Sequence, residues 1–67
     1  MKTAKGTEVC AELAAALKGA PSALKNFEAM PPSHQREYNK HVAEAKQAET
    51  RERRAAGAIE RITAWKR

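Results

Sequence analysis

Three side chains that can bind a metal ion, His34, Glu37 and His41, lie close together in the sequence. Their spacing of i, i+3 and i+7 places them along one side of a helix, and imidazole and carboxylate groups are both zinc ligands. Triplets of this kind also arise by chance, and the histidines of small helical domains more often pack, cap or face solvent. We therefore expect no metal site and no cofactor.

Other ingredients of an active site are scarce. The chain has one cysteine, Cys10, two serines and no aspartate. Cys10 has no histidine or basic neighbour in the sequence to activate its thiol, so packing in the core is its expected role. A lone cysteine forms no internal disulfide, which points to a reducing, cytoplasmic location. We expect no catalytic residues and a protein that is not an enzyme.

Basic residues are concentrated in the last third of the chain. The formal charge is +5 overall, to which residues 1–45 contribute +1 and residues 46–67 contribute +4. Guanidinium groups bind phosphate and carboxylate in a bidentate fork, so this segment is suited to an anion or an acidic partner. The candidate residues for such binding are Lys46, Arg51, Arg54 and Arg61.

Nucleic acid or another polyanion is one candidate ligand of this segment. The competing interpretation is a solvated helix face, on which Arg53 pairs with Glu49 one turn earlier. No aromatic residues alternate with the arginines and no recognised nucleic-acid motif is present, so the polyanion hypothesis rests on charge alone. The arginines that would contact phosphate are Arg51, Arg53, Arg54, Arg61 and Arg67.

The secondary-structure elements that must position these residues have few large apolar side chains to pack. Alanine makes up 15 of the 28 hydrophobic residues in this chain of 67, and alanine buries little area. We expect one small core, and a monomer or weak homo-oligomer of marginal stability. The longest apolar run, Leu13–Leu17, is too short for a membrane span. The larger apolar side chains are Val9, Leu13, Leu17, Leu24, Phe27, Met30, Tyr38, Val42, Ile59, Ile62 and Trp65.

Composition favours an all-α fold. Good helix formers dominate, β-branched residues are scarce, and apolar residues recur at helical spacing. The expected architecture is a compact orthogonal bundle of three to four short helices, formed by residues 7–67 as a single domain. Residues 1–6 have almost no apolar side chain to anchor them and are expected to be a flexible tail.

Glycine, proline and capping residues predict the ends of four helices. The first would begin with Thr7 as its N-cap and stop at Gly19, and the second would begin at Pro21. Ser33 would cap the third helix, and Thr50 would cap the last. The alternative is one continuous helix from residue 33 to residue 66. Two helices are preferred, because the apolar stripe turns polar between them.

Two blocks of the sequence are distinctive in their order and spacing. They are Phe27-Glu28-Ala29-Met30-Pro31-Pro32-Ser33-His34-Gln35-Arg36-Glu37-Tyr38 and Glu44-Ala45-Lys46-Gln47-Ala48-Glu49-Thr50-Arg51-Glu52-Arg53-Arg54. Together they resemble the pattern of the YdeI/OmpD-associated family, also called bacteriocin-protection proteins. The resemblance implies an all-helical, cytoplasmic bacterial module linked to envelope stress or to protection against bacteriocins and other antimicrobial peptides. It brings no established catalytic residues, so the expected function is binding to an unidentified protein partner.

The second block lies at the expected junction of the last two helices. Its basic residues Lys46, Arg51 and Arg54, with the exposed N–H groups of the last helix, are suited to an anion-binding notch. The hypothesis we favour is structural, with Lys46 or Arg54 tying the junction to Tyr38 or to a helix carbonyl. The residues assigned to this structural role are Ser33, Tyr38, Glu49 and Thr50.

Overall fold

Four α-helices make up most of the chain in the computed structural model, which describes residues 1–66. They are α1, Ala11–Lys18; α2, Pro21–Ala29; α3, Pro32–Ala43; and α4, Ala48–Ala64. The longest helix, α4, packs against each of the other three, and α1 also contacts α2 and α3. The predicted all-α fold is confirmed. Residues 1–66 contain no β-sheet, and their one isolated β-bridge joins Lys2 and Glu8.

The last two helices are separate, as the sequence predicted. Because α3 ends at Ala43 and α4 begins at Ala48, the alternative of one continuous helix is wrong. The chain turns between them at residues 44–47, where Ala45 is buried. This turn sets α4 back against α3 and so creates the face on which the candidate binding residues lie.

All three predicted N-caps are wrong. Thr7 lies well before α1, whose N-cap is Cys10. Ser33 is the second residue of α3, because Pro32 already has the fixed φ of a first helical residue. Thr50 is the third residue of α4. None of the N-cap residues of these four helices makes a side-chain capping hydrogen bond. The free polar groups at the helix ends therefore depend on partners from elsewhere in the chain.

The core contains the large residues that the periodicity predicted, together with alanines. Seven of the eleven large apolar side chains are buried, and Leu24, Tyr38, Ile59 and Trp65 are half-buried and pack against the core. Cys10 packs against it in the same way, as expected. Alanines on α1, α2 and α4 let the helices approach closely. The buried hydrophobic residues are Val9, Leu13, Ala14, Leu17, Ala23, Phe27, Met30, Val42, Ala45, Ala55, Ala58 and Ile62.

The segment before α1 folds back on itself and onto the bundle. The N–H of Thr3 donates to the carbonyl of Thr7 (2.9 Å), and Gly6 makes the turn with φ of 92°. That conformation favours glycine. The Nζ of Lys5 donates to the carbonyl of Ala29, the last residue of α2 (3.0 Å), and to that of Met30, the C-cap of α2 (2.8 Å). Polar contacts thus connect residues 1–6 to the bundle, and Met1 packs against the hydrophobic core.

Gln35, in the second turn of α3, is fully buried and joins three parts of the chain. Its Nε2 donates to the carbonyls of Phe27 (2.7 Å) and Met30 (3.3 Å), at the end of α2. Its Oε1 accepts a hydrogen bond from the hydroxyl of Thr3 (2.9 Å), whose oxygen in turn accepts from the N–H of Thr7 (3.0 Å). The amide group thus has a partner for both its donor and its acceptor atom, as buried polar groups require.

We expect Gln35→Leu to lower the free energy of unfolding by about 2–3 kcal/mol, although leucine is apolar and similar in size. The change removes the acceptor of the Thr3 hydroxyl and one donor to each of the Phe27 and Met30 carbonyls, all at a buried site. Urea unfolding followed by circular dichroism measures the effect. The matched control is Gln47→Leu, at an exposed position, which should change the value by less than about 0.5 kcal/mol. Equal losses for the two variants would contradict the role given to Gln35.

Candidate functional site

Helices α3 and α4 enclose an open groove of about 550 Å³, called here the α3–α4 groove. Its α3 wall consists of His34, Glu37, Tyr38 and His41. Its α4 wall and floor consist of Arg54, Gly57, Ala58, Arg61 and Trp65. Both sets follow the i, i+3, i+4, i+7 spacing of a single helix face, and Trp65, the C-cap of α4, extends the second set to i+11. The structure therefore brings the histidine triplet of the sequence together with two of the four candidate binding residues.

The histidine triplet lines the groove as separate side chains. Within residues 1–66, no three His, Cys, Asp or Glu side chains form a group that could hold a metal ion. His34, Glu37 and His41 are all exposed. Their contribution to the groove is a polar wall that faces the arginines of α4.

Arg51 and Arg54 point to the carboxyl end of α3. The Nε of Arg51 donates to the carbonyl of Ala45 (2.7 Å) and its Nη2 to that of Ala43 (3.1 Å). The Nη1 of Arg54 donates to the carbonyl of His41 (3.0 Å). A helix ends in carbonyls that lack hydrogen-bond donors and carry partial negative charge. A guanidinium group supplies both the donors and a positive charge. The two arginines thus fasten the start of α4 to the end of α3.

Carboxylates complete this junction. Arg51 lies 3.8 Å from an oxygen of Glu12 on α1, and Arg54 lies 3.8 Å from an oxygen of Glu44. Arg51 therefore joins α1, α3 and α4 at one point. Its guanidinium group is already committed to partners within the chain, which reduces what it can offer to an external anion.

The remaining candidates of the junction lie apart from these contacts. Lys46 is exposed in the turn and has no hydrogen bond or ion pair within the described part of the chain. Glu49 and Arg53 form the predicted pair, at 3.5 Å, with both side chains more than 70 % exposed. Thr50 is half-buried in the first turn of α4.

Ser33 lines a second depression, of about 720 Å³, beside the first segment of the chain. Basic side chains of Lys5, Arg36 and Lys40 line it together with the carboxylates of Glu8 and Glu37. Because the two signs of charge are mixed there, this depression shows no preference for an anion or a cation. The α3–α4 groove remains the stronger candidate.

The carboxyl end of α4 is held by Asn26, a residue that no sequence pattern indicated. The Nδ2 of Asn26, on α2, lies within hydrogen-bonding distance of the carbonyls of Ile62 (2.9 Å), Thr63 (3.1 Å) and Trp65 (3.3 Å). Trp65 is consequently fixed at the end of the groove. Its side chain is half-buried, packs against the core and also lines the groove.

Two exposed residues of α4, Gly57 and Arg61, line the groove. Arg61 is exposed and makes no hydrogen bond or ion pair with any residue in the 1–66 range. Gly57 is exposed in the middle of α4, and a Cβ added there would meet no atom within 4 Å. Arg67, also a candidate phosphate contact, lies outside the described residues.

These features define the class of protein: a small all-α bundle whose helix ends are tied to one another by side chains and whose α3–α4 face is open. The sequence model of the family described as "Bacteriocin-protection, YdeI or OmpD-Associated" matches residues 7–64. The chain belongs to this family, and the resemblance noted in the sequence is confirmed. No curated protein and no solved structure matches the chain. None of the helices within residues 1–66 is both long and apolar enough to cross a membrane.

We expect Arg51→Ala to lower the free energy of unfolding by about 1–2 kcal/mol, because two charge-assisted hydrogen bonds, to the end of α3 and to the turn after it, are lost at a half-buried site. Arg53→Ala, two positions along the same helix, removes an exposed pair and should cost less than about 0.5 kcal/mol. Thermal or urea unfolding of both variants measures the difference. If the two substitutions cost the same, Arg51 does not fasten the junction.

Gly57→Ala is expected to raise the free energy of unfolding by about 0.5–1 kcal/mol. Alanine loses less backbone freedom than glycine when a helix forms, and the added methyl group meets open space. Urea unfolding measures the gain. A destabilised Gly57→Ala variant would show that the backbone at this position needs glycine for the fold itself.

Proposed function

We propose that this protein is a non-enzymatic binding module of the bacteriocin-protection family, and that the α3–α4 groove is where its protein partner binds. The observation that carries the proposal is the set of side chains in one open groove. Tyr38 and Trp65 offer apolar surface that is already held in place, and Arg61 offers a guanidinium group with no partner in residues 1–66. Tyrosine, tryptophan and arginine are the residues that most often dominate the binding energy of protein interfaces.

The way in which the arginines are used favours a protein partner over a polyanion. Phosphate binding needs several free cationic groups along one surface. Arg51 and Arg54 donate to α3 carbonyls, and Arg53 pairs with Glu49. Arg61 is the arginine of α4 that has no such partner among the described residues. A surface with one free guanidinium beside two aromatic rings suits a peptide better than a nucleic-acid backbone.

Family membership supports a role in protection against bacteriocins or in the response to envelope stress. A binding module acts in such a role by engaging another protein. The single, half-buried Cys10 agrees with a reducing compartment, so we propose a cytoplasmic location.

The test is survival of a bacterial host that lacks its own family member and expresses this chain during exposure to a bacteriocin. We expect the wild-type chain to raise survival and Gly57→Leu to lose most of that gain, because a leucine side chain fills the floor of the groove. Ala56→Leu is the matched control, since Ala56 is exposed on the neighbouring face of α4 and does not line the groove. It should protect like the wild type.

Equal cellular levels and unfolding midpoints of the two leucine variants, checked by immunoblot and circular dichroism, separate a blocked groove from an unfolded chain. Protection by Gly57→Leu that equals the wild type would rule out the groove as the binding surface. The polyanion alternative is checked with the purified chain and duplex DNA at near-physiological salt. Affinity above that of a lysine-rich control would favour it.

A further inference from the structure

The glycine at position 57 is unexplained by the fold. Glycine in a helix interior costs about 1 kcal/mol relative to alanine. Among residues 1–66 the only glycine with positive φ is Gly6, so the backbone of Gly57 is one that any residue adopts. Apart from Gly57 itself, its two chain neighbours and the backbone of the surrounding helix, no atom of the chain lies within 4 Å of where its Cβ would be. The empty space therefore serves no packing within the bundle, and it opens onto the floor of the α3–α4 groove.

A missing side chain at the floor of a groove allows another backbone to come close. Gly57 is followed by Ala58, which is buried, so the middle of the groove has a floor of two small residues. Packed helices lie 8–10 Å apart, and the shorter distances need small residues at the contact. The shape of this floor fits a helix laid between α3 and α4.

The length of the groove fits the same occupant. From Arg54 to Trp65 the lined face of α4 covers about 16 Å at 1.5 Å per residue, which is three helical turns. Trp65 closes one end and Tyr38 lies on the opposite wall, and both are half-buried. Apolar residues at i, i+3 or i+4, and i+7 of an incoming helix would meet these rings, which is how helices bind in grooves.

Charge selects among such helices. Arg54 and Arg61 lie on the α4 wall, whereas Glu37 is the single carboxylate of the groove. Arg54 is already bonded to a carbonyl and lies near Glu44, so Arg61 is the residue left to bind a carboxylate. Glu37 lies on the α3 wall, where it would repel a carboxylate. The acidic residues of the partner are therefore expected on the side that faces α4.

Building on the proposed function, we infer that the occupant is an acidic amphipathic helix of a partner protein. Its apolar face covers Gly57 and Ala58 between the rings of Tyr38 and Trp65, and its carboxylates bind the guanidinium group of Arg61. This names the chemistry of the partner and the orientation in which it lies.

The experiment is a display selection of random 16-residue peptides against the full chain, followed by affinity measurements on the selected peptides by fluorescence anisotropy. We expect peptides with net negative charge and helical apolar spacing, which become helical on binding by circular dichroism. Arg61→Glu should weaken them by about tenfold or more, and Arg53→Glu, an exposed position outside the groove, should weaken them far less. A peptide in which one glutamate is replaced by lysine should bind the Arg61→Glu variant again, because the ion pair is restored with its charges reversed.

The outcomes separate this inference from the proposed function. Selected peptides bind in the groove if Gly57→Leu abolishes their binding and Ala56→Leu does not. If such peptides are neutral, basic or extended, the inference of an acidic helix is wrong, but the groove remains the binding surface. Peptide binding that Gly57→Leu does not change overturns both. A 16-nucleotide single-stranded DNA and a 16-base-pair duplex are measured in parallel. If the selection yields no peptide and either DNA binds in a way that Gly57→Leu abolishes, the inference is wrong and the groove binds a polyanion.

Discussion

The arrangement of this bundle depends on carbonyl groups that three of its helices leave unpaired at their carboxyl ends. Each of these ends receives donors from side chains elsewhere in the chain: Lys5 and Gln35 at α2, Arg51 and Arg54 at α3, and Asn26 at α4. An unpaired carbonyl away from water is costly, so each donor fixes both the end of a helix and the position of its neighbour. The core, built largely from alanine, has little apolar area with which to do this alone.

This use of side chains accounts for much of the charge in the last third of the chain. The block Glu49-Thr50-Arg51-Glu52-Arg53-Arg54, on which the family resemblance partly rested, lies at the α3–α4 junction, where its first and last arginines bond to α3. The hypothesis that this block holds the junction agrees with that geometry. Residues outside the block, above all Gly57, Arg61 and Trp65, then form most of the α4 side of the proposed binding groove.

Helical periodicity was enough to predict the fold class, the separation of α3 from α4 and most large core residues, because these follow from the spacing of apolar side chains. It failed at the N-caps, where the ring of Pro32 starts α3 before Ser33. It also gave no sign of Gln35 or Asn26, since a single polar residue in a helix has no pattern. Charge and spacing pointed to several residues of the candidate site, but pairing α3 with α4 required the tertiary structure.

The position of α4 in the chain has a consequence for synthesis. Of the four helices it is the last to leave the ribosome, yet it is the one that contacts all the others. Until its last turn has emerged, Leu13, Leu17 and Phe27 have no complete core to enter, and Asn26 has no α4 carbonyls to which it can donate. Local helices can form earlier, but the native packing is a late and cooperative event. Before that point, the apolar side chains of α1 and α2 stay open to contact with other proteins.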